Sequence, residues 1–333
     1  MRTIDWADGA IEMIDQTALP GRVDVLRISD VDELIGAIQR LAVRGAPALG
    51  VAGALGVALL AARPGSDPAA VRADASRLRA ARPTAVNLAW GVDRALTRLD
   101  EGPDAVLAEA LAVRDEDLAA CVAMGANGAD LLRELLGDGA KRLMTICNTG
   151  GLAAVERGTA LGVAQTVFER GELAEVIAME TRPLLQGARL TAWELQQMGA
   201  PFRLAVDSAG PFLLARGAAD AVLIGADRIT ANGDTANKVG SFSLALAARH
   251  AGVPLLVVAP ESTVDVGTPD GGAIEIEDRG SAEVVGFGGV RTAPEGTTAI
   301  NPAFDVTPAE LITAIVTDQR VIWTSKGQTP AEG

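Results

Sequence analysis

The stretch LMTICNTGG, Leu143 to Gly151, is a short, mainly apolar run that ends at Cys147 and passes at once into a polar, glycine-containing turn. Further runs of this kind follow at Glu175–Met179, Phe202–Val206, Ala221–Gly225 and Leu255–Ala259. Segments with helical spacing separate them, at Leu152–Gly162, Gln186–Met198, Pro211–Arg216 and Lys238–Ala251. Strands alternating with helices of this length predict a parallel, doubly wound sheet.

Before Lys141 the texture differs. Ile4 and Trp6, the turn pair Asp8-Gly9, and then Ile11, Met13 and Ile14 read as a hairpin. Val31, Leu34, Ile35, Ile38 and Leu41 recur at helical spacing behind a cap at Ser29 or Asp30. From there to Gly137 the chain stays helical and alanine-rich, as in Asp67–Ala81, Leu88–Leu99 and Asp104–Leu118. Ala46 to Ala62 carries no charge over seventeen residues, fewer than the ~20 that a membrane helix needs. Its glycines Gly50, Gly53 and Gly56 predict a buried helix approached closely by another backbone. The expected fold class is therefore α/β: a mainly helical N-terminal domain with a small β start over residues 1–137, followed by a Rossmann-like doubly wound parallel-sheet domain over 138–333.

Composition narrows the chemistry. With 43 acidic against 29 basic residues the formal charge is −14, which argues against a nucleic-acid partner. Two cysteines, Cys121 and Cys147, and one histidine, His250, do not make up the usual four Cys/His ligands of a zinc site, so no metal is expected. No dinucleotide glycine fingerprint and no P-loop lysine motif occurs, so no nucleotide cofactor is expected either. The opening MRTIDWADGA lacks the basic and apolar regions of a signal peptide, and a cytoplasmic enzyme without a membrane partner is expected.

Ligands of an open α/β sheet bind beyond the carboxyl ends of its strands. The residues there are Cys147-Asn148-Thr149-Gly150, Glu180-Thr181-Arg182-Pro183, Asp207-Ser208, Asp227-Arg228 and Pro260-Glu261-Ser262-Thr263. Cys147 reads either as an inert core thiol or as a thiolate held by a helix opening at Asn148–Gly151. Asp227 reads either as a turn residue paired with Arg228 or as a general acid, its carboxyl desolvated by the apolar approach Leu223–Ala226. Three cations are placed to hold an anion: Arg44 ahead of Gly45-Ala46-Pro47 at a helix start, Lys238 after Asn237 at the head of another helix, and Arg82 in Arg82-Pro83-Thr84. His250 sits late in a helix as a charge partner of its C-terminus, and Cys121 is assigned to packing.

Met144–Gly150, Glu180–Pro183 followed by Gln186–Thr191, and Gly225–Ile229 with Asn232-Gly233-Asp234 and Asn237-Lys238 resemble the S-methyl-5-thioribose-1-phosphate isomerase family. The resemblance extends from Asp15-Gln16 through Arg44–Pro47 and Arg82–Asn87 to Asn301–Pro308, nearly the whole chain. That family is related to the regulatory subunits of the translation-initiation guanine-nucleotide exchange factor. The resemblance implies an aldose-to-ketose isomerisation of 5-methylthioribose 1-phosphate in methionine salvage, without a cofactor, by a homodimer. It implies catalytic roles for Cys147 and Asp227, and substrate contacts for Arg44, Gly45, Ala46, Arg82, Gln186, Asn237 and Lys238. Asp207–Phe212, Ser241-Phe242, Leu255–Val257 and Asp278–Ser281 depart from the family's usual residues. They leave open a related sugar 1-phosphate, such as 5-deoxyribose 1-phosphate or ribose 1,5-bisphosphate, or a non-catalytic binding subunit.

Overall fold

Alternation within the short apolar runs explains the central layer of the molecule. The computed structural model describes residues 2–82 and 85–332. At its N-terminus β1 (Ile4–Ala7), β2 (Ala10–Ile14) and β3 (Val25–Ile28) form an antiparallel sheet, the expected hairpin plus a third strand that the sequence reading did not contain. Next come α1 (Val31–Gln39), α2 (Ala46–Ala61), α3 (Pro68–Arg79), α4 (Val86–Leu96) and α5 (Pro103–Leu136). Asp30 caps α1, its carboxylate accepting the Asp32 N–H at 2.7 Å.

The charge-free α2 is buried along nearly its whole length, and its glycines are required by space. A Cβ at Gly53 would sit 2.7 Å from the Leu88 carbonyl of α4, and one at Gly56 would press on Leu34 and Leu78. The apolar faces of α1 to α4 and the first half of α5 make one core with the small sheet.

The remaining elements are β4 (Lys141–Thr145), α6 (Ala160–Glu169), β5 (Leu173–Met179), α7 (Ala192–Met198), β6 (Phe202–Ala205), α8 (Gly210–Ala215), β7 (Ala221–Ile224), β8 (Arg228–Thr230), β9 (Thr235–Lys238), α9 (Ser241–Ala251), β10 (Leu255–Val258), β11 (Val264–Asp265), β12 (Gly286–Phe287), β13 (Val290–Arg291), β14 (Phe304–Thr307), β15 (Ala314–Val316) and β16 (Val321–Ile322). A seven-stranded sheet has the order β16-β15-β10-β7-β4-β5-β6, parallel except for β16. The chain starts in the middle at β4, winds outward through β5 and β6, then reverses across β4 to β7, β10 and β15. This is the doubly wound order, with its switch point between β4 and β7.

Successive residues of these strands feed opposite cores, as the period of two requires. Leu143, Leu223 and Leu256 face α5 and α6, while Met144, Val222 and Val257 face α8 and α9. Burial on both faces explains why the strands read as continuous apolar runs. The second half of α5, including the fully buried Cys121, belongs to the sheet's core. A four-stranded sheet, β11-β8-β9-β14, lies beyond the carboxyl end of β7. Its strands are too short for periodicity to reveal.

Two expected helices are corrected. Leu152–Gly162 is not a helix: a short turn at Gly151–Ala153 gives way to an extended loop, and α6 begins only at Ala160. Tertiary bonds hold that loop open, the Thr3 hydroxyl donating to the Gly151 carbonyl at 2.6 Å and the Val155 N–H to the Asp117 carboxylate at 2.8 Å. Lys238 does not head a helix but ends β9, whose ladder with β14 takes up its backbone, and α9 starts at Ser241.

Candidate active site

The switch point places Cys147 two residues beyond β4 and Asp227 three beyond β7, on adjacent strands. One cavity, partly open to solvent, is lined by Cys147, Asp227, Arg44, Gly45, Ala46, Arg82, Gln186, Asn237 and Lys238. All nine residues singled out in the sequence thus meet in one place. Pro83 and Thr84 lie outside the described residues.

Cys147 is neither a core thiol nor a helix-start residue. Its backbone has φ +66°, and two threonines pin it: its N–H donates to Thr181 Oγ1 at 2.9 Å, and its carbonyl accepts from Thr191 Oγ1 at 2.6 Å. The expected helix is absent, and Lys238 lies close enough to Cys147 to interact with it electrostatically.

Asp227 is tied into the β8–β9 hairpin through its N–H, which donates to the Ala236 carbonyl at 2.9 Å. Its neighbour Arg228 turns away to Asp265, 3.5 Å from that carboxylate, so the simple Asp227–Arg228 pair does not form. Burial pushes the Asp227 carboxyl above its ordinary range, opposed by Arg82, Lys238 and Arg44. Burial also draws Arg82 and Lys238 downward. A carboxyl raised among cations that are themselves desolvated has the chemistry to pass a proton, and the cations around it have the charge to hold an anion.

The cations arrive on separate elements. Arg44 is 8% exposed and reaches across the interface between the two cores, donating to Asn148 Oδ1 at 2.9 Å and to the Asn148 carbonyl at 2.7 Å. Gly45 follows with φ +94°, where a Cβ would also strike the backbone of Ala153, so only glycine fits. It delivers the first turn of α2, with Pro47 inside it and no side-chain cap, to the cavity wall. Such a turn favours an anion. Lys238 is 7% exposed, donates to the Ala303 carbonyl at 2.8 Å and lies 5.3 Å from the Phe304 ring centre. Asn237 donates to Ser241 Oγ at 2.8 Å, and Gln186, 5% exposed, has an Oε1 with no hydrogen-bond partner.

Sequence reasoning missed other parts of the wall. Arg279 lines the cavity but is held by Glu283 and Glu277, 3.2 Å away in the latter case, and burial is outweighed so that its guanidinium is held further toward the charged form. Behind the wall, Thr191 donates to the Cys147 carbonyl and Glu194 accepts from Asn148 Nδ2, and nothing in the helical spacing marks Glu194. His250 ends α9 on the surface, away from the cavity.

The family model for the initiation factor 2 subunit family matches residues 42–323. A methylthioribose-1-phosphate isomerase from an Anaeromyxobacter species is 50% identical over 324 residues, covering 97% of this chain and 94% of its own length. A 5-deoxyribose 1-phosphate isomerase from Moorella thermoacetica is 48% identical over 332 residues, covering 96% and 93%. A probable bifunctional methylthioribose-1-phosphate isomerase/methylthioribulose-1-phosphate dehydratase from Nocardia farcinica is 52% identical, and this chain spans 60% of its length. The crystal structure of 5-methylthioribose 1-phosphate isomerase from Pyrococcus horikoshii superposes with a TM-score of 0.87 at 38% identity, covering 98% of this chain and 95% of that one. The chain belongs to the initiation factor 2 subunit family, among relatives named as methylthioribose-1-phosphate isomerases.

Proposed function

We propose that this protein is an aldose-ketose isomerase that converts 5-methylthioribose 1-phosphate to 5-methylthioribulose 1-phosphate, a step of methionine salvage. The observation that carries the reading is that Cys147 and Asp227, beyond adjacent strands at the switch point, line one cavity together with Arg44, Arg82 and Lys238.

The substrate's anomeric oxygen carries the phosphate, so its ring does not open as a free sugar's does. Arg44, Arg82, Lys238 and the first turn of α2, with Gly45 and Ala46, hold the phosphate, and the amides of Gln186 and Asn237 take sugar hydroxyls. Asp227, protonated through burial, donates to the ring oxygen as the C1–O bond breaks. The hydrogen on C2 then moves to C1 while the C2 hydroxyl returns its proton to the Asp227 carboxylate and becomes the ketone. Cys147 acts at C2, either as the base that removes a proton or as the group that steadies a hydride shift. Turnover in deuterated water separates the two: deuterium at C1 of the product excludes the direct shift.

The decisive experiment compares kcat/KM for the 1-phosphates of methylthioribose and 5-deoxyribose and for ribose 1,5-bisphosphate. A tenfold preference for the deoxy compound, about 1.4 kcal/mol, overturns the choice of substrate. Absence of turnover on every sugar 1-phosphate overturns the enzyme in favour of a binding subunit.

The same reading includes a homodimer in the cytoplasm, without nucleic-acid or membrane partners, and units divided at residue 137 with α5 as their shared strut. Exposed apolar side chains on the edge strand β6 and on α8 and α9, among them Leu204, Phe212 and Leu246, support a second copy as partner. Light scattering on the purified protein tests it. No described helix is long and apolar enough to cross a membrane.

A further inference from the structure

Behind the cavity, one buried carboxylate governs how Asn148 faces Arg44. Glu194 lies on α7, after a π-helical turn at Gly187–Thr191 that follows Gln186. Its Oε1 accepts the Leu152 N–H at 3.0 Å, and its Oε2 accepts from Asn148 Nδ2. Thr191 Oγ1 accepts from the same Nδ2 at 3.3 Å. With acceptors on that side, the amide must turn its oxygen toward Arg44, whose Nη1 meets it at 2.9 Å. A Cβ at Gly150 would collide with the Glu194 carboxylate, so the backbone there is shaped to admit it.

We propose that Glu194 is a positioning residue: as an acceptor on both oxygens, it fixes the Asn148 amide and thereby keeps the Arg44 guanidinium aimed at the phosphate. An amide at 194 has only one acceptor. It must point a donor either at the Leu152 N–H or at Asn148 Nδ2, and relief by rotation of Asn148 turns that amide's NH2 toward Arg44. Burial pushes the Glu194 carboxyl upward, opposed by the hydrogen bonds it accepts from Asn148 and Leu152 and by the charge of Arg44.

The test is a double-mutant cycle of Glu194→Gln and Asn148→Asp, read through KM and kcat for 5-methylthioribose 1-phosphate. The concentration of inorganic phosphate that halves alkylation of Cys147 by iodoacetamide is measured in parallel; Cys121 is buried. The first readout rests on the isomerase reading, and the second does not. E194Q raises KM and the protecting concentration about tenfold, with kcat within threefold of wild type. N148D alone sets two carboxylates against each other and is also impaired. The double variant restores donor to acceptor at both contacts: the amide now at position 194 donates to the carboxylate now at position 148, and that carboxylate still accepts from Arg44. It returns to within threefold of wild type. Additive losses, or an E194Q indistinguishable from wild type, overturn the proposal. Failure of phosphate to protect the wild-type thiol overturns it too, since Arg44 then holds no anion there. A protein that turns over no sugar phosphate but follows the cycle in alkylation loses the isomerase reading and keeps the positioning role.

Discussion

Replacing Gly91 by alanine tests the seam that carries α2 to the active site. Gly91 lies inside α4, where alanine should gain roughly 0.5–1 kcal/mol over glycine from backbone entropy alone. Its Cβ, however, would fall on the carbonyl oxygen of Gly50 in α2, with the Gly50 carbonyl carbon at 2.8 Å and its Cα at 3.1 Å. All three are backbone atoms and have no rotamer to escape into. Ordinary contact requires the two backbones to part by well over an ångström, which forfeits about half or more of the dispersion across the seam. Overpacking of this kind costs ~1–3 kcal/mol, and a rigid backbone contact belongs at the upper end. The net expectation is a loss of about 2 kcal/mol after the helix gain is subtracted. Gly36→Ala is the control: it is also helical, no heavy atom lies within 4 Å of its Cβ, and it should stabilise by roughly 0.5–1 kcal/mol. Urea midpoints at unchanged m-value measure both. A Gly91→Ala protein as stable as wild type would refute the close crossing, and with it the account of how α2 presents its first turn to the cavity.

Other consequences follow from buried charge. Lys238→Met should lower kcat/KM about 100-fold, the worth of a charge-assisted contact of roughly 3 kcal/mol, without lowering the melting temperature, because a desolvated ammonium is removed; unchanged kcat/KM would count against Lys238 as an anion ligand. Asp117, whose carboxyl burial pushes up to about 7, holds its proton in the folded state after the unfolded chain has released it. Its contribution to stability is therefore complete below about pH 4 and lost as pH rises through 7. Asp117→Asn keeps an acceptor for the Val155 N–H, so its stability relative to wild type should improve by about 4 kcal/mol between pH 4 and pH 8; a gap independent of pH would contradict this.

The sheet was legible because burial on both faces leaves a chemical trace, the continuous apolar runs ending in Cys147, Met179 and Gly225. The strand-end residues were legible because a parallel sheet collects them at one edge. What escaped the sequence depended on contacts distant in the chain. Leu152 to Gly162 has helical spacing, yet Thr3 and Asp117 capture its backbone and keep it extended. Lys238 sits beside a true helix start, but pairing of β9 with β14 keeps it in a strand. Glu194 lies inside a segment whose spacing says only that it is helical, and the approach of Gly150 and Asn148 gives it a task.

The central claim is that Cys147 and Asp227 together convert the closed sugar 1-phosphate to its ketose. Following ketose formation from 5-methylthioribose 1-phosphate by proton NMR, with wild type, Cys147→Ser and Asp227→Asn at equal folded concentration, tests it most directly. Each variant should lose on the order of 1,000-fold in kcat, about 4 kcal/mol of transition-state stabilisation. Either variant retaining more than about a tenth of the wild-type rate, under 1.4 kcal/mol, would contradict the account.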